Sequence, residues 1–194
     1  MGLVLLQPQW SRDSRRLYYP RQAGEFFYGV GFEIATGQAA AYMISDGTQA
    51  VSPDGAWIAG LLEDDAHHAV LSLARTDGTV QRYLRLEAKM AESWTSSSSV
   101  LRQLSWSSDS QCLLVSLDEL YLVTLATDQV REHHDPEADS LALGVFAPQG
   151  RQFYYLAQPK ATDPNDPEKR MVLRRHDLGA GESRTVLTLS DIPD

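Results

Sequence analysis

The side chains able to do acid–base or metal chemistry fall into a few short clusters. His67-His68 stands beside Asp64 and Asp65, and His133-His134 stands beside Asp135 and Asp139. Neutral imidazole and carboxylate are zinc ligands, but neighbours on a strand point to opposite sides, and no third ligand follows at a recognisable spacing. These clusters are expected to be solvated loops, and no metal is assigned to them. Residues 163–168, Asp-Pro-Asn-Asp-Pro-Glu, carry calcium-like oxygens without the glycine and spacing of a calcium loop. No Gly-x-Ser-x-Gly elbow, metal-binding helix or phosphate loop is present. Ser96 to Ser99 reads as a polar loop, and Cys112, the sole cysteine, reads as core packing. No nucleophile stands beside a base, so the expectation is a chain without catalytic residues or a cofactor. Binding is the chemistry left. Phe26, Phe27, Tyr28 and Trp94 are aromatic residues in or near long loops, of the kind that anchor partners. The candidate binding residues are therefore Phe26, Phe27, Tyr28, Asp64, Asp65, His67, His68, Trp94, His133 and His134.

The elements that must hold these residues come from an internal repeat. Four segments align: Trp10-Ser11-Arg12-Asp13-Ser14, Val51-Ser52-Pro53-Asp54-Gly55, Trp106-Ser107-Ser108-Asp109-Ser110 and Phe146-Ala147-Pro148-Gln149-Gly150. First positions 10, 51, 106 and 146 give intervals of 41, 55 and 40 residues, two of them close to the ~40–45 residues of a four-stranded propeller blade. The longer interval carries an insertion of about 14 residues at Glu87 to Ser99, where Leu86 to Ser93 could form one short helix. In the turn, Pro presets φ, Asp accepts a following backbone N–H, and Gly takes the left-handed corner. Three residues past each turn an apolar residue starts a strand: Leu17, Ile58, Leu113 and Phe153. Short β-branched or aromatic runs and polar turns complete each unit. The expected fold is all-β, a propeller of four four-stranded antiparallel blades at about residues 3–43, 44–86, 100–134 and 140–190. Trp10, Val51, Trp106 and Phe146 should end the four inner strands and pack between blades.

Composition narrows the partners. The chain of 194 residues has 26 acidic and 17 basic side chains, a formal charge of −9, and no basic stripe, so nucleic-acid binding is not expected. One cysteine excludes an internal disulfide. No apolar run approaches the ~18 residues of a membrane span, so no direct membrane insertion is expected. The compartment stays open: periplasmic within an exported or anchored parent, cytoplasmic if the chain is complete.

At Val51-Ser52-Pro53-Asp54-Gly55 with Trp57-Ile58-Ala59, and at Leu120-Tyr121 running to Ala126-Thr127-Asp128, the chain resembles the TolB-type, WD-repeat-like propeller family. The resemblance covers about residues 3 to 190 and implies the fold more specifically than the function. Relatives of that kind include periplasmic assembly proteins, sensor domains of membrane-bound regulators and gating domains of serine peptidases.

Propellers usually close by pairing a strand from one terminus with the blade at the other. Here Leu3 to Pro8 reads as the first innermost strand and Arg184 to Leu189 as the last outermost one, leaving no spare strand. A small closed ring, part of a longer propeller, and a half-ring completed by a second copy in a homodimer are all consistent with this. The elaborated segments, Pro20 to Tyr28, Glu63 to His68, Glu87 to Ser99, His133 to Ser140 and Gln158 to Arg170, all fall on one face. The functional expectation is a non-catalytic binding or sensing module that docks a protein or peptide there. The alternative is an accessory propeller gating a serine peptidase whose catalytic domain lies outside this chain.

Overall fold

Each short apolar run between turn residues forms a strand. The computed structural model describes residues 8–11, 14–23, 26–44, 48–77, 79–89, 102–160 and 171–188. The described elements are all strands, arranged as four four-stranded antiparallel sheets. The first sheet is β1 (Gln9–Trp10), β2 (Arg16–Ala23), β3 (Phe26–Glu33) and β4 (Ala39–Ile44). The second is β5 (Gln49–Val51), β6 (Trp57–Glu63), β7 (His68–Arg75) and β8 (Gln81–Lys89). The third is β9 (Gln103–Trp106), β10 (Cys112–Ser116), β11 (Leu120–Thr124) and β12 (Gln129–Glu132). The fourth is β13 (Ala138–Phe146), β14 (Gln152–Pro159), β15 (Val172–Asp177) and β16 (Glu182–Thr188). Every strand pairs with its neighbour in sequence, so each sheet is a four-stranded meander, a propeller blade. The chain divides into two compact units, Met1–Ser98 and Ser99–Asp194, with two blades in each.

The repeat is visible in the register. Trp10, Val51, Trp106 and Phe146 each end the first strand of their blade and lie opposite Leu17, Ile58, Leu113 and Phe153. As expected, Asp54 and Asp109 Oδ1 accept the Ala56 and Gln111 N–H groups at 3.0 and 3.1 Å, and a serine that the sequence did not mark also anchors three of the four turns. Ser11, Ser52 and Ser107 are buried, and their Oγ atoms each accept the backbone N–H five residues on, at 2.9 Å. The Ser52 and Ser107 hydroxyls in turn donate to Asp54 and Asp109 at 2.5 and 2.6 Å. Each blade takes the left-handed corner here, at Ser14 (φ 58°), Gly55 (70°), Ser110 (60°) and Gly150 (77°), which only glycine adopts without strain.

Three expectations need correction. Trp10 holds the equivalent position but is 59% exposed, whereas Trp106 and Phe146 are each 8% exposed. Phe146 packs in a cluster drawn from the third and fourth blades, and Val51 is half-buried against the first-unit cluster. Leu86 does not begin a helix, because β8 continues to Lys89; residues 90–101 lie outside the description. Pro20 to Tyr28 is not a long loop. β2 and β3 pair continuously from Arg16↔Glu33 to Ala23↔Phe26, so Phe26, Phe27 and Tyr28 are strand residues. Of the expected first strand, Leu3 to Gln7 lies outside the described residues.

Packing inside each unit depends on close backbone approach. In the second unit, Cys112, Leu114, Leu120, Leu141, Phe153 and Tyr155 belong to one core cluster, and burying each large apolar side chain contributes roughly 1.5–3 kcal/mol. Gly144 of β13 lies so close to β10 that an added Cβ would sit 2.4 Å from Leu114 Cδ2. Beside it, the Ser116 and Ser105 hydroxyls accept the Gly144 and Phe146 N–H groups at 2.8 and 2.9 Å. In the first unit Tyr18, Ile58 and Ala74 form the buried cluster.

Within a blade, the turns after its first and third strands lie on one side, called here the turn side. The hairpin between its second and third strands and the connection onward to the next blade lie on the other, the loop side.

Candidate functional site

On the loop side of the first unit, the β6–β7 connection is a four-residue turn built by Asp64. Its Oδ1 accepts the Ala66 and His68 N–H groups at 2.9 and 2.8 Å, and its backbone N–H donates to the His68 carbonyl at 3.0 Å. The His68 N–H, then the Ala66 N–H and Arg85, hold the Asp64 carboxyl below its ordinary range against a smaller effect of burial. Arg85 ties the turn to β8: Nη2 lies 2.7 Å from His68 Nδ1, and Nε lies 3.4 Å from Asp64 Oδ2. His67, with φ 62°, turns outward and pairs with Glu63. Adjacent histidines thus point to different neighbours, and Asp65 stays exposed.

The second unit divides its histidine pair in the same way. His134 is exposed. His133 turns inward, with ring centroids 5.0 Å from Phe153, 5.0 Å from Tyr155 and 4.6 Å from His176. Its Nε2 is buried without a hydrogen-bond partner among the described residues. Burial, and then His176, push its pKa down to about 4, which keeps the ring neutral at pH 7.

Two residues on, Asp135 enters a buried polar network. The Tyr155 hydroxyl donates to Asp135 Oδ2, and Arg174 Nε lies 2.8 Å from the same oxygen. Arg174 Nη1 reaches Glu137 Oε2 at 2.7 Å and Thr185 Oγ1 at 3.3 Å, while the Glu137 N–H donates to Asp135 Oδ1 at 3.0 Å. Burial pushes the Asp135 carboxyl up, but Tyr155, the Glu137 N–H and Arg174 together hold it below its usual value. Burial and the Asp135 bond push the Tyr155 phenol up to about 12. Carboxylate, phenol and guanidinium are committed to one another; what they accomplish is to fix the 133–137 connection onto the fourth blade.

The expectation of a solvated loop at His133 and Asp135 is corrected, since both side chains turn inward, and sequence reasoning missed Tyr155, Arg174 and His176, which come from other strands. The two histidine pairs lie in different units. Among the described residues no three His, Cys, Asp or Glu side chains come together as a metal could require. Cys112 is buried in the core, where burial pushes its thiol up. Trp94 and residues 163–168 lie outside the described residues.

A further group of polar residues lies on the turn side of the first unit, where no site was expected. A cleft of about 600 Å³ is lined by Ser11, Arg15, Arg16, Tyr18, Glu33 and turn residues 53–55. Arg16 donates from Nε to Glu33 Oε2 at 2.7 Å and from Nη1 to Thr76 Oγ1 at 3.1 Å, and Thr76 donates to the Gly55 carbonyl at 2.7 Å. The Tyr18 hydroxyl lies near enough to Arg16 to favour its charged form, yet it meets hydrogen-bonding geometry with nothing among the described residues.

Comparison by sequence matches no family model and no curated protein. Solved structures match over nearly the whole chain. TolB from Acinetobacter baumannii has a TM-score of 0.61 at 12% identity, over 94% of this chain and 43% of that one. The β-propeller domain of the Trilobed protease from Pyrococcus furiosus gives 0.63 at 14%, over 94% and 57%. Oligogalacturonate lyase in complex with manganese gives 0.63 at 13%, over 96% and 53%. The chain thus spans between 43% and 57% of the length of these structures. At such identities the likeness shows the fold, a TolB-like and WD-repeat-like propeller.

Proposed function

We propose that this chain, a set of blades with the TolB-like, WD-repeat-like propeller fold, is a non-catalytic binding or sensing module that docks a protein or peptide on the loop sides of its blades. The observation that carries the reading is the way Asp64 and Asp135 are used. Each has its oxygens occupied in holding a connection in place. In the second unit the side chains left exposed are mainly acidic, Asp118, Glu132, Glu137 and Asp139 with His134 and Lys160, whereas in the first Asp65 stands with His67 and Arg85. Burial, and to a lesser degree Glu132 and Asp118, push the Glu119 carboxyl up on that side of the third blade. Preorganised charge of one sign gives orientation and specificity to association, so the partner segment should be basic.

The fold does not decide between this and the peptidase-gate reading, because protease, peptidase and lyase structures match alike, at 0.63, 0.64 and 0.63. A photo-crosslinking amino acid placed in turn at Asp65, His134 and, on the turn side, Asp128 tests the docking side. Crosslinks to a partner should form several-fold more from positions 65 and 134 than from 128. Equal or stronger crosslinking from 128 would contradict the proposal.

A further inference from the structure

The turn-side cleft of the first unit has features that the docking proposal does not use. The Tyr18 side chain is wholly buried, its ring held against Ile58 and Ala74, so the position of its hydroxyl at the cleft is set by the core. A buried hydroxyl gains a great deal from an acceptor and loses as much without one. Beside it, the Arg16 guanidinium is oriented by two anchors, Glu33 Oε2 on Nε and Thr76 Oγ1 on Nη1, which leaves Nη2 for another acceptor. Only one oxygen of Glu33 is used by Arg16. The antiparallel register places Arg16 directly opposite Glu33, so both charges are set by paired strands.

These groups have a definite preference. Two fixed donors, Arg16 Nη2 and the Tyr18 hydroxyl, suit the two oxygens of a carboxylate. Arg16 and Glu33 neutralise each other, so a plain anion meets little net attraction. A ligand that also carries an ammonium group would use the second Glu33 oxygen. We propose that this cleft binds a free α-amino acid, its carboxylate on Arg16 and Tyr18 and its ammonium group on Glu33. The volume is within the range of small-molecule sites and leaves space for a side chain.

The test is an amide NMR titration of the intact chain with each of the twenty free amino acids. At least one should give saturable shifts at Ser11, Arg16, Glu33 and Gly55 below about 20 mM. Its N-acetyl and its carboxamide derivatives should each bind about tenfold more weakly, since each loses one charge-assisted contact. Tyr18→Phe keeps the ring packing and should also weaken binding about tenfold, with an unfolding midpoint unchanged or raised. The proposal is overturned if no amino acid gives saturable shifts at those amides, or if the N-acetyl derivative binds as well as the parent. It is equally overturned if Tyr18→Phe lowers the midpoint, because the hydroxyl would then be bonded within the protein. Loop-side crosslinking does not depend on any of these outcomes.

Discussion

Arg174→Met is expected to lower the unfolding free energy by about 3–5 kcal/mol, the range for removing one partner of a buried ion pair. Arg174 is 5% exposed, and the Asp135 side chain beneath it is fully enclosed. Methionine replaces most of the aliphatic volume, so the packing loss should be small. The main loss is the charge that compensates Asp135. The Tyr155 hydroxyl continues to donate to that carboxylate, which favours the lower end of the range. The Glu137 contact adds little, because its side chain is 70% exposed. Denaturant unfolding with an unchanged m-value would isolate the effect. Replacing Asp135 as well, as Arg174→Met/Asp135→Leu, should recover part of the loss, since no charge is then buried and unpaired while the buried Tyr155 hydroxyl loses its acceptor. A single-variant cost below about 1 kcal/mol would mean that Asp135 does not depend on Arg174.

Lowering the pH from about 6.5 to about 4 is expected to remove roughly 3 kcal/mol of stability through His133, with an ordinary histidine value as the unfolded reference. The folded pKa is depressed to about 4 by burial and His176, so within that window the unfolded chain binds the proton and the folded one does not. Stability therefore rises with pH across the window and is lost as pH falls through it. The groups facing His133 are His176 on β15, Tyr155 on β14, and Asp135, His134 and Arg174. His176 is itself depressed by burial and acts in the same direction. Asp135 is also depressed, so its contribution persists in this window and disappears only at still lower pH. His133→Leu should flatten most of the slope between pH 6.5 and 4. An unchanged slope in that variant would place the titrating group elsewhere.

Much of the fold is legible in the sequence because the repeat recurs at turns, where few residue types fit. The four aligned first positions occupy equivalent register, and the apolar residues Leu17, Ile58, Leu113 and Phe153 lie directly opposite them. Trp10 shows the limit, since an aromatic side chain in the pattern does not report whether a neighbour covers it. The role of the turn serines is hidden for a similar reason: serine is a common turn residue, and only the paired backbone shows Ser52 Oγ reaching Trp57 N. The candidate residues are less legible. Asp135, Tyr155 and Arg174 belong to three different elements, and nothing in their spacing announces that they meet. The alternating burial of β14 marks Tyr155 as inward-facing but cannot name its partner. The cleft had a usable signal that sequence reading passed over. Once β2 and β3 are read as one hairpin, Arg16 faces Glu33, and Tyr18 follows two residues on along the same side of the strand.

On the proposed reading, the polar groups gathered on the loop sides hold connections in place rather than transform a substrate. Turnover by the purified chain tests it most directly, with peptide, ester and glycoside substrates, each with and without added divalent metal. Rates indistinguishable from buffer are expected for all of them, because among the described residues no nucleophile stands with a base free to activate it. Turnover that follows the protein through purification and disappears in His134→Ala or Asp64→Asn, with folding intact, would contradict it.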